Sequence, residues 1–244
     1  MVLLLNCDLG EATDADQLTA ETQVMPCIDQ ANIACGMHAG DPLVIKNTLA
    51  LAKQHNVMIG AHPSYPDRDN FGRCSMQLPA TELIACMQYQ IAALQGMAQN
   101  VDLALSYVKP HGALYNDMMT NGHLRSAVMA AIAESHATST LMLQATAEAE
   151  IHRQEAQVFE LKLYFEVFAD RAYQDNGTLV PRSAEGAILS RQQMLAQVQQ
   201  LVQDGSVTTI NGQRLPLLAD SLCVHGDNPQ AIAEIGEIRR ILSQ

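Results

Sequence analysis

The sequence predicts an α/β protein built as an irregular TIM-like barrel of seven β/α units, and three observations carry that reading. Short apolar runs recur along the chain, each followed by a polar, glycine-containing turn and then a longer segment with helical spacing. No G-x-G-x-x-G or G-x-x-x-x-G-K-[ST] follows any run, so the usual nucleotide signatures of open doubly wound sheets are missing. Polar motifs follow nearly every run instead of clustering at one crossover, as expected where βα loops surround a barrel mouth.

The seven apolar runs cover residues 2–5, 31–35, 57–61, 103–108, 140–144, 159–168 and 222–224. Between them, Asp41 precedes Pro42, so Asp41 caps and Pro42 opens a helix through Gln54 that Asn56 ends. Leu83, Ile84, Met87, Ile91 and Leu94 place a second helix over residues 82–97, with Thr81 as its cap. Ile232, Ile235, Ile238 and Ile241 recur every three residues and predict one helix over 230–242. Residues 124–133 and 191–202 complete the helical set.

At 244 residues, with no linker or repeat to divide it, the chain reads as a single barrel domain spanning 1–244. Apolar residues make up 48%, enough for a large core, yet the opening apolar run is too short for a membrane span or secretory core, so a cytoplasmic protein is expected. Six cysteines without a C-x-x-C pair read as reduced thiols. A net charge of −12, scattered in sign, repels phosphate backbones and anionic lipid, which excludes nucleic-acid and membrane-surface binding as expected functions.

Four of eight histidines, His38, His62, His111 and His225, stand directly after apolar runs beside Gly, Pro or Asp. One such histidine is most simply a loop residue bonding a carbonyl. Four in the same topological place converge on one barrel mouth, where neutral imidazoles bind metal or move protons near neutral pH. The first run ends in Asn6-Cys-Asp-Leu-Gly-Glu11, which offers Asp8 and Glu11 as bases or metal ligands, or as residues of an ordinary turn. Lys109 lies between a buried run and Pro110, where desolvation lowers its pKa, or its charge meets a carboxylate or phosphate, or it forms a salt bridge with a mouth acid. Asp170 and Arg171 follow the longest run as a substrate clamp or a plain ion pair. The loop carrying Asp67, Arg68, Phe71, Gly72 and Arg73 has the length of a lid, and Arg182 sits in a second long loop. Cys35 and Cys223 read as core packing, while Cys7 stays open as a nucleophile.

Taken together, the segments from Leu5 to Glu11, Ala31 to Pro42, Ile59 to Pro66, Val108 to Asn116, Val167 to Tyr173 and Cys223 to Asp227 closely resemble the LamB/YcsF family, in order and over nearly the whole chain. Met37 stands where that family usually has Phe, and Ala12 where Ser is common. The resemblance implies a barrel of the glycoside hydrolase/deacetylase type. It further implies the ATP-dependent opening of the 5-oxo-L-proline lactam to L-glutamate, as the A subunit of a 5-oxoprolinase with companion subunits B and C. A lactam is an unactivated amide, so ATP is needed to turn its carbonyl oxygen into a leaving group. Under that reading Asp8 or Glu11 is the general base, His38, His62 and His111 move protons or hold a divalent ion, and Lys109 with Arg171 neutralises carboxylate or phosphate. Asn6, Asn32, Asp170, Tyr173, His225 and Asp227 join Arg171 as substrate-binding residues, and Asp8, His38 and His62 are the candidate metal ligands. With no phosphate loop, the ATP site is expected to be shared with a partner chain of the complex. Two rivals stand beside it: a metal-dependent carbohydrate deacetylase, since related barrels hold a metal on Asp and two His, and a non-catalytic ligand-binding subunit. Whether copies of the chain form a homo-oligomer is open.

Overall fold

The computed structural model describes residues 3–226 and 229–243. Seven parallel strands close into a barrel in chain order: β1 (Leu4–Leu9), β2 (Gln30–Ala34), β3 (Met58–His62), β4 (Leu105–Val108), β5 (Thr140–Gln144), β6 (Lys162–Phe168) and β9 (Ser221–Val224). β9 closes the circle by pairing in parallel with both β1 and β6. This is the seven-unit barrel that the alternating runs predict. The helices that join the strands are α1 (Ala15–Val24), α2 (Pro42–His55), α3 (Ala80–Gln99), α4 (Gly112–Thr120), α5 (Gly122–Ser135), α6 (Ala149–Gln157) and α7 (Arg191–Asp204). Between α7 and β9 an antiparallel ribbon, β7 (Ser206–Thr208) with β8 (Arg214–Pro216), is added outside the barrel. The tail forms α8 (Pro229–Ala233) and α9 (Ile235–Leu242).

Local signals account for most boundaries. The Asp41 carboxylate accepts the N–H groups of Leu43 and Val44 at 2.8 and 2.9 Å, and Asn56 ends α2 in the left-handed region at φ 55°. Two expectations are corrected. Thr81 does not cap α3, because the Pro79 carbonyl already accepts from Glu82 and Leu83 at 3.0 Å each and the helix starts at Ala80. The helix expected over 230–242 breaks at Glu234, which leaves helical geometry while its carboxylate takes both arms of Arg191 at 2.5 and 2.9 Å. The isoleucine stripe survives the break, with Ile235, Ile238 and Ile241 buried on α9.

The barrel has two unlike faces. Outward residues such as Leu5, Cys7 and Leu9 belong to the apolar core shared with the helices. The alternate residues line the interior as a polar ladder: Asn6 donates to Ser221 at 2.7 Å, Ser221 to Gln30 at 2.7 Å, Asn32 to Asn6 at 2.8 Å, and the Tyr107 hydroxyl to Asn32 at 2.6 Å. Tyr107 crosses the lumen only because residue 60 is glycine, since a Cβ there would lie 2.2 Å from its ring. This hydrogen-bonded ladder forms the floor on which the mouth residues stand. Among the described residues no helix is long and apolar enough to cross a membrane.

Candidate active site at the barrel mouth

The C-terminal ends of the strands open on a cavity of about 430 Å³. Its wall carries Asp8 and Glu11 from the β1 end, His62 from β3, Lys109 and His111 after β4, Phe168 from the end of β6 and Arg171 after it, and His225 after β9. That size is typical of a small-molecule site.

The floor is a buried charge triad. The Lys109 ammonium lies 2.9 Å from Asp8 Oδ1, 3.1 Å from Glu166 Oε2 and 3.3 Å from Cys223 Sγ. Burial works against its charge, but Asp8, with Cys223 and Glu166, overcomes that and raises the Lys109 pKa well above the ordinary value. The lowered lysine pKa entertained from sequence is therefore replaced by the salt-bridge reading. Burial alone would raise the Asp8 carboxyl too, but the Lys109 charge holds it well below the usual carboxylate range. Asn32 donates to the same Oδ1 at 2.7 Å. Asp8 is thus an oriented, ionised carboxylate at the edge of the cavity.

Beside it, three imidazoles and Glu11 converge. His62 Nδ1 faces the Lys109 carbonyl at 2.7 Å and His111 Nε2 faces the Phe71 carbonyl at 2.9 Å. A carbonyl only accepts, so both of those nitrogens carry the proton. The remaining nitrogens, His62 Nε2 and His111 Nδ1, then present lone pairs to one another at 2.9 Å, an arrangement that calls for a proton or a cation between them. Glu11 Oε1 stands 2.9 Å from His38 Nε2, 3.5 Å from His111 Nδ1 and 4.0 Å from His62 Nε2. Burial, reinforced by neighbouring imidazoles, lowers the pKa of His38 and of His111 well below the ordinary histidine value, which keeps both in the neutral, ligating form. Ligands around a tetrahedral ion lie about 3.3 Å apart, and the spacings of this set bracket that value. Glu11, His38, His62 and His111 therefore make up a donor set of the kind that holds a divalent cation, their ligand atoms all lying within 4.8 Å of one another. Asp8, Cys223 and His225 also cluster, but Lys109 already places a positive charge on Asp8 and Cys223, so that group is not a cation site.

Two loops aim these groups. The buried Glu21 carboxylate accepts the N–H groups of Gly10, Glu11 and Ala12 at 2.9, 3.2 and 3.3 Å and the Thr48 hydroxyl at 2.9 Å, which pins the loop that carries Glu11. Phe71 holds φ at 55°, an unfavourable region for a large side chain, and so turns its carbonyl onto His111. His38 stacks on His111 with ring centroids 3.7 Å apart.

Most residues singled out from the sequence meet at this mouth. Asn6 and Asn32 lie beneath it in the polar ladder, where they orient Asp8 rather than face the cavity. The Arg171 guanidinium lines the cavity yet donates to the Val180 and Ala187 carbonyls at 2.6 and 3.3 Å, so it braces the neighbouring loop. Tyr173 is buried away from the cavity, with its hydroxyl accepting the Phe168 N–H at 2.7 Å. Asp227 lies outside the described residues. None of Cys7, Cys35 and Cys223 is an activated thiol, since burial raises all three and takes Cys35 up to about 12. Sequence reasoning missed Glu166 and Glu21. The available signal for Glu166 was a lone carboxylate inside a buried apolar strand, two residues before Phe168 and so on the same face.

The fold and the site define a β/α-barrel protein with a carboxylate–imidazole centre at the C-terminal mouth, the position where barrels of this architecture place their chemistry. Comparison with known proteins narrows the class. The chain belongs to the LamB/YcsF family, whose profile matches residues 3–244. A Vibrio cholerae protein, named as the A subunit of 5-oxoprolinase, is 47% identical over 241 residues, covering 98% of this chain and 97% of that protein. A Pseudomonas fluorescens protein of the same name is 43% identical over 243 residues, covering 99% and 97%. The crystal structure of a lactam utilization protein from Thermus thermophilus superposes with a TM-score of 0.86 at 32% identity, covering 98% of this chain and 96% of that one.

Proposed function

We propose that this chain is the A subunit of a cytoplasmic, ATP-dependent 5-oxoprolinase and opens the lactam of 5-oxo-L-proline to L-glutamate together with subunits B and C. The observation that carries the reading is the convergence, on one cavity, of the ionised Asp8 with the Glu11, His38, His62 and His111 donor set. The names of the relatives supply the substrate class.

Opening the ring requires water at the carbonyl carbon, a group to take its proton and a way to hold the substrate's carboxylate. Asp8 takes the proton: it lines the cavity, and Lys109 and Asn32 hold the carboxylate in place through Oδ1. Lys109 keeps Asp8 ionised. Arg171, with Arg73 and Arg182 on the same cavity wall, supplies the positive charge for the substrate carboxylate. A divalent ion held by Glu11, His38, His62 and His111 would polarise the carbonyl or lower the pKa of water. ATP chemistry is shared with the partner subunits.

Calorimetric titration of the chain with Zn²⁺ is expected to give one site, and His62→Ala or His111→Ala to weaken it by at least about 100-fold, the upper end of what loss of a supporting residue does to metal affinity. Equal affinity in both variants contradicts the donor set. The function itself is tested by treating the reconstituted complex with a chelator, then following glutamate release from 5-oxo-L-proline and acetate release from an N-acetylated sugar. Lactam opening that falls and returns with the ion, with no acetate, supports the proposal; acetate release without lactam opening replaces it with the deacetylase reading.

A further inference from the structure

We infer that His225, oriented by Asp170, is the general acid that protonates the ring nitrogen as the lactam C–N bond breaks, and that this proton decides whether ATP consumption yields glutamate or is wasted. The inference rests on the reaction proposed above and goes further by assigning its leaving-group step. Asp170 is buried, and its Oδ1 lies 2.9 Å from His225 Nδ1. A carboxylate accepts, so Nδ1 carries the proton and Nε2 is the nitrogen that exchanges protons with the cavity. The ring is held flat against Phe168, with centroids 5.2 Å apart and planes 13° from parallel, and it lines the cavity with 12% of its side chain exposed. β9 lies between β1 and β6 in the barrel, so His225 stands beside Asp8 on one side and Asp170 on the other. Its ligating atom falls within 4.8 Å of those of Asp8 and Cys223. A buried carboxylate behind an imidazole that faces a substrate cavity is the arrangement that stabilises an imidazolium while it gives up its other proton.

The chemistry requires such a group. Once the carbonyl oxygen carries the phosphoryl group of ATP, attack by water with proton loss to Asp8 leaves a tetrahedral carbon bearing hydroxyl, phosphate and the ring nitrogen. If His225 Nε2–H gives its proton to the nitrogen, the C–N bond breaks with its electron pair going to nitrogen. The hydroxyl then gives its proton to the now neutral His225 Nε2 as it becomes the carbonyl of an acyl phosphate. A second water hydrolyses that species to carboxylate and phosphate, which accounts for both waters of the overall reaction. If the nitrogen is not protonated, the C–O bond to phosphate breaks instead, the hydroxyl loses its proton, and the lactam is regenerated. The net result is ATP hydrolysis alone.

The test measures ADP and glutamate formed per unit time from 5-oxo-L-proline by the complex with its B and C subunits, carrying wild-type chain, His225→Gln or Asp170→Asn. The wild type is expected to give a ratio near one. His225→Gln should retain 5-oxoproline-dependent ADP formation while the ratio of ADP to glutamate rises at least tenfold. Asp170→Asn, which keeps the shape of the pair, should raise the ratio by a smaller factor without a change in melting temperature. A ratio that stays at the wild-type value in both variants overturns the inference, as does joint loss of both products in a folded Asp170→Asn complex. Absence of glutamate with the wild-type chain counts against the proposed function instead.

Discussion

Asp8→Asn should lower glutamate formation by about 10²–10⁴-fold, the span expected when a general base is removed, while the barrel stays folded. The two halves of that expectation come from the same triad. Lys109 is a single positive charge between two buried carboxylates, 2.9 Å from Asp8 and 3.1 Å from Glu166. Replacing Asp8 by its amide leaves Lys109 and Glu166 as a balanced pair, and Asn keeps an oxygen for Asn32 to donate to. The fold therefore tolerates the change, but an amide cannot accept the proton of water. Steady-state rates with a thermal melt as control check both parts; a folded Asp8→Asn complex turning over at the wild-type rate removes Asp8 from its role.

Lys109→Met should produce the largest loss of stability in the mouth. It leaves Asp8 and Glu166 facing one another in a site where both are buried, and breaking a buried pair in this way costs about 3–5 kcal/mol. Against a total stability of about 5–15 kcal/mol, that is a large share. The pH dependence should reverse as well. In the wild type the depressed Asp8 pKa contributes stability above the unfolded value near about 4, lost as pH falls through the folded value. In Lys109→Met the uncompensated carboxylates have raised pKa values, so their contribution is present below the unfolded value and is lost as pH rises. Denaturant unfolding at acid and neutral pH should show the gap between variant and wild type widening towards neutrality. Adding Glu166→Gln to Lys109→Met should recover much of the loss, and a double variant no better than the single one would show that charge is not the cause.

What was legible in the sequence followed from periodicity and from position at strand ends. Strand order needs only that apolar runs alternate with helical stripes, and a histidine or aspartate just past a run has to face the mouth once the strands close in parallel. Asp8, Glu11, His38, His62 and His111 were found that way, and so was the Asp41 cap of α2. The residues missed are those whose partners are brought to them only by the fold. Glu166 reads as one polar letter in an apolar strand until Lys109 is brought to it, and Glu21 reads as a helix-surface acid until it meets the N–H groups of residues 10–12. Arg171 carries a second task that its charge does not reveal, since its Nε and Nη2 donate to carbonyls of its own loop. The ribbon of β7 and β8 escaped because three-residue strands carry too little alternation to register.

The central claim, that this mouth opens the lactam, is tested most directly by a reconstitution in which only this chain is varied. With 5-oxo-L-proline, ATP and the B and C subunits present, adding the wild-type chain should yield L-glutamate and ADP in equal amounts, and omitting it or supplying Asp8→Asn should yield almost no glutamate. Glutamate formed at the same rate without the chain, or with the folded Asp8→Asn variant in its place, would contradict the account.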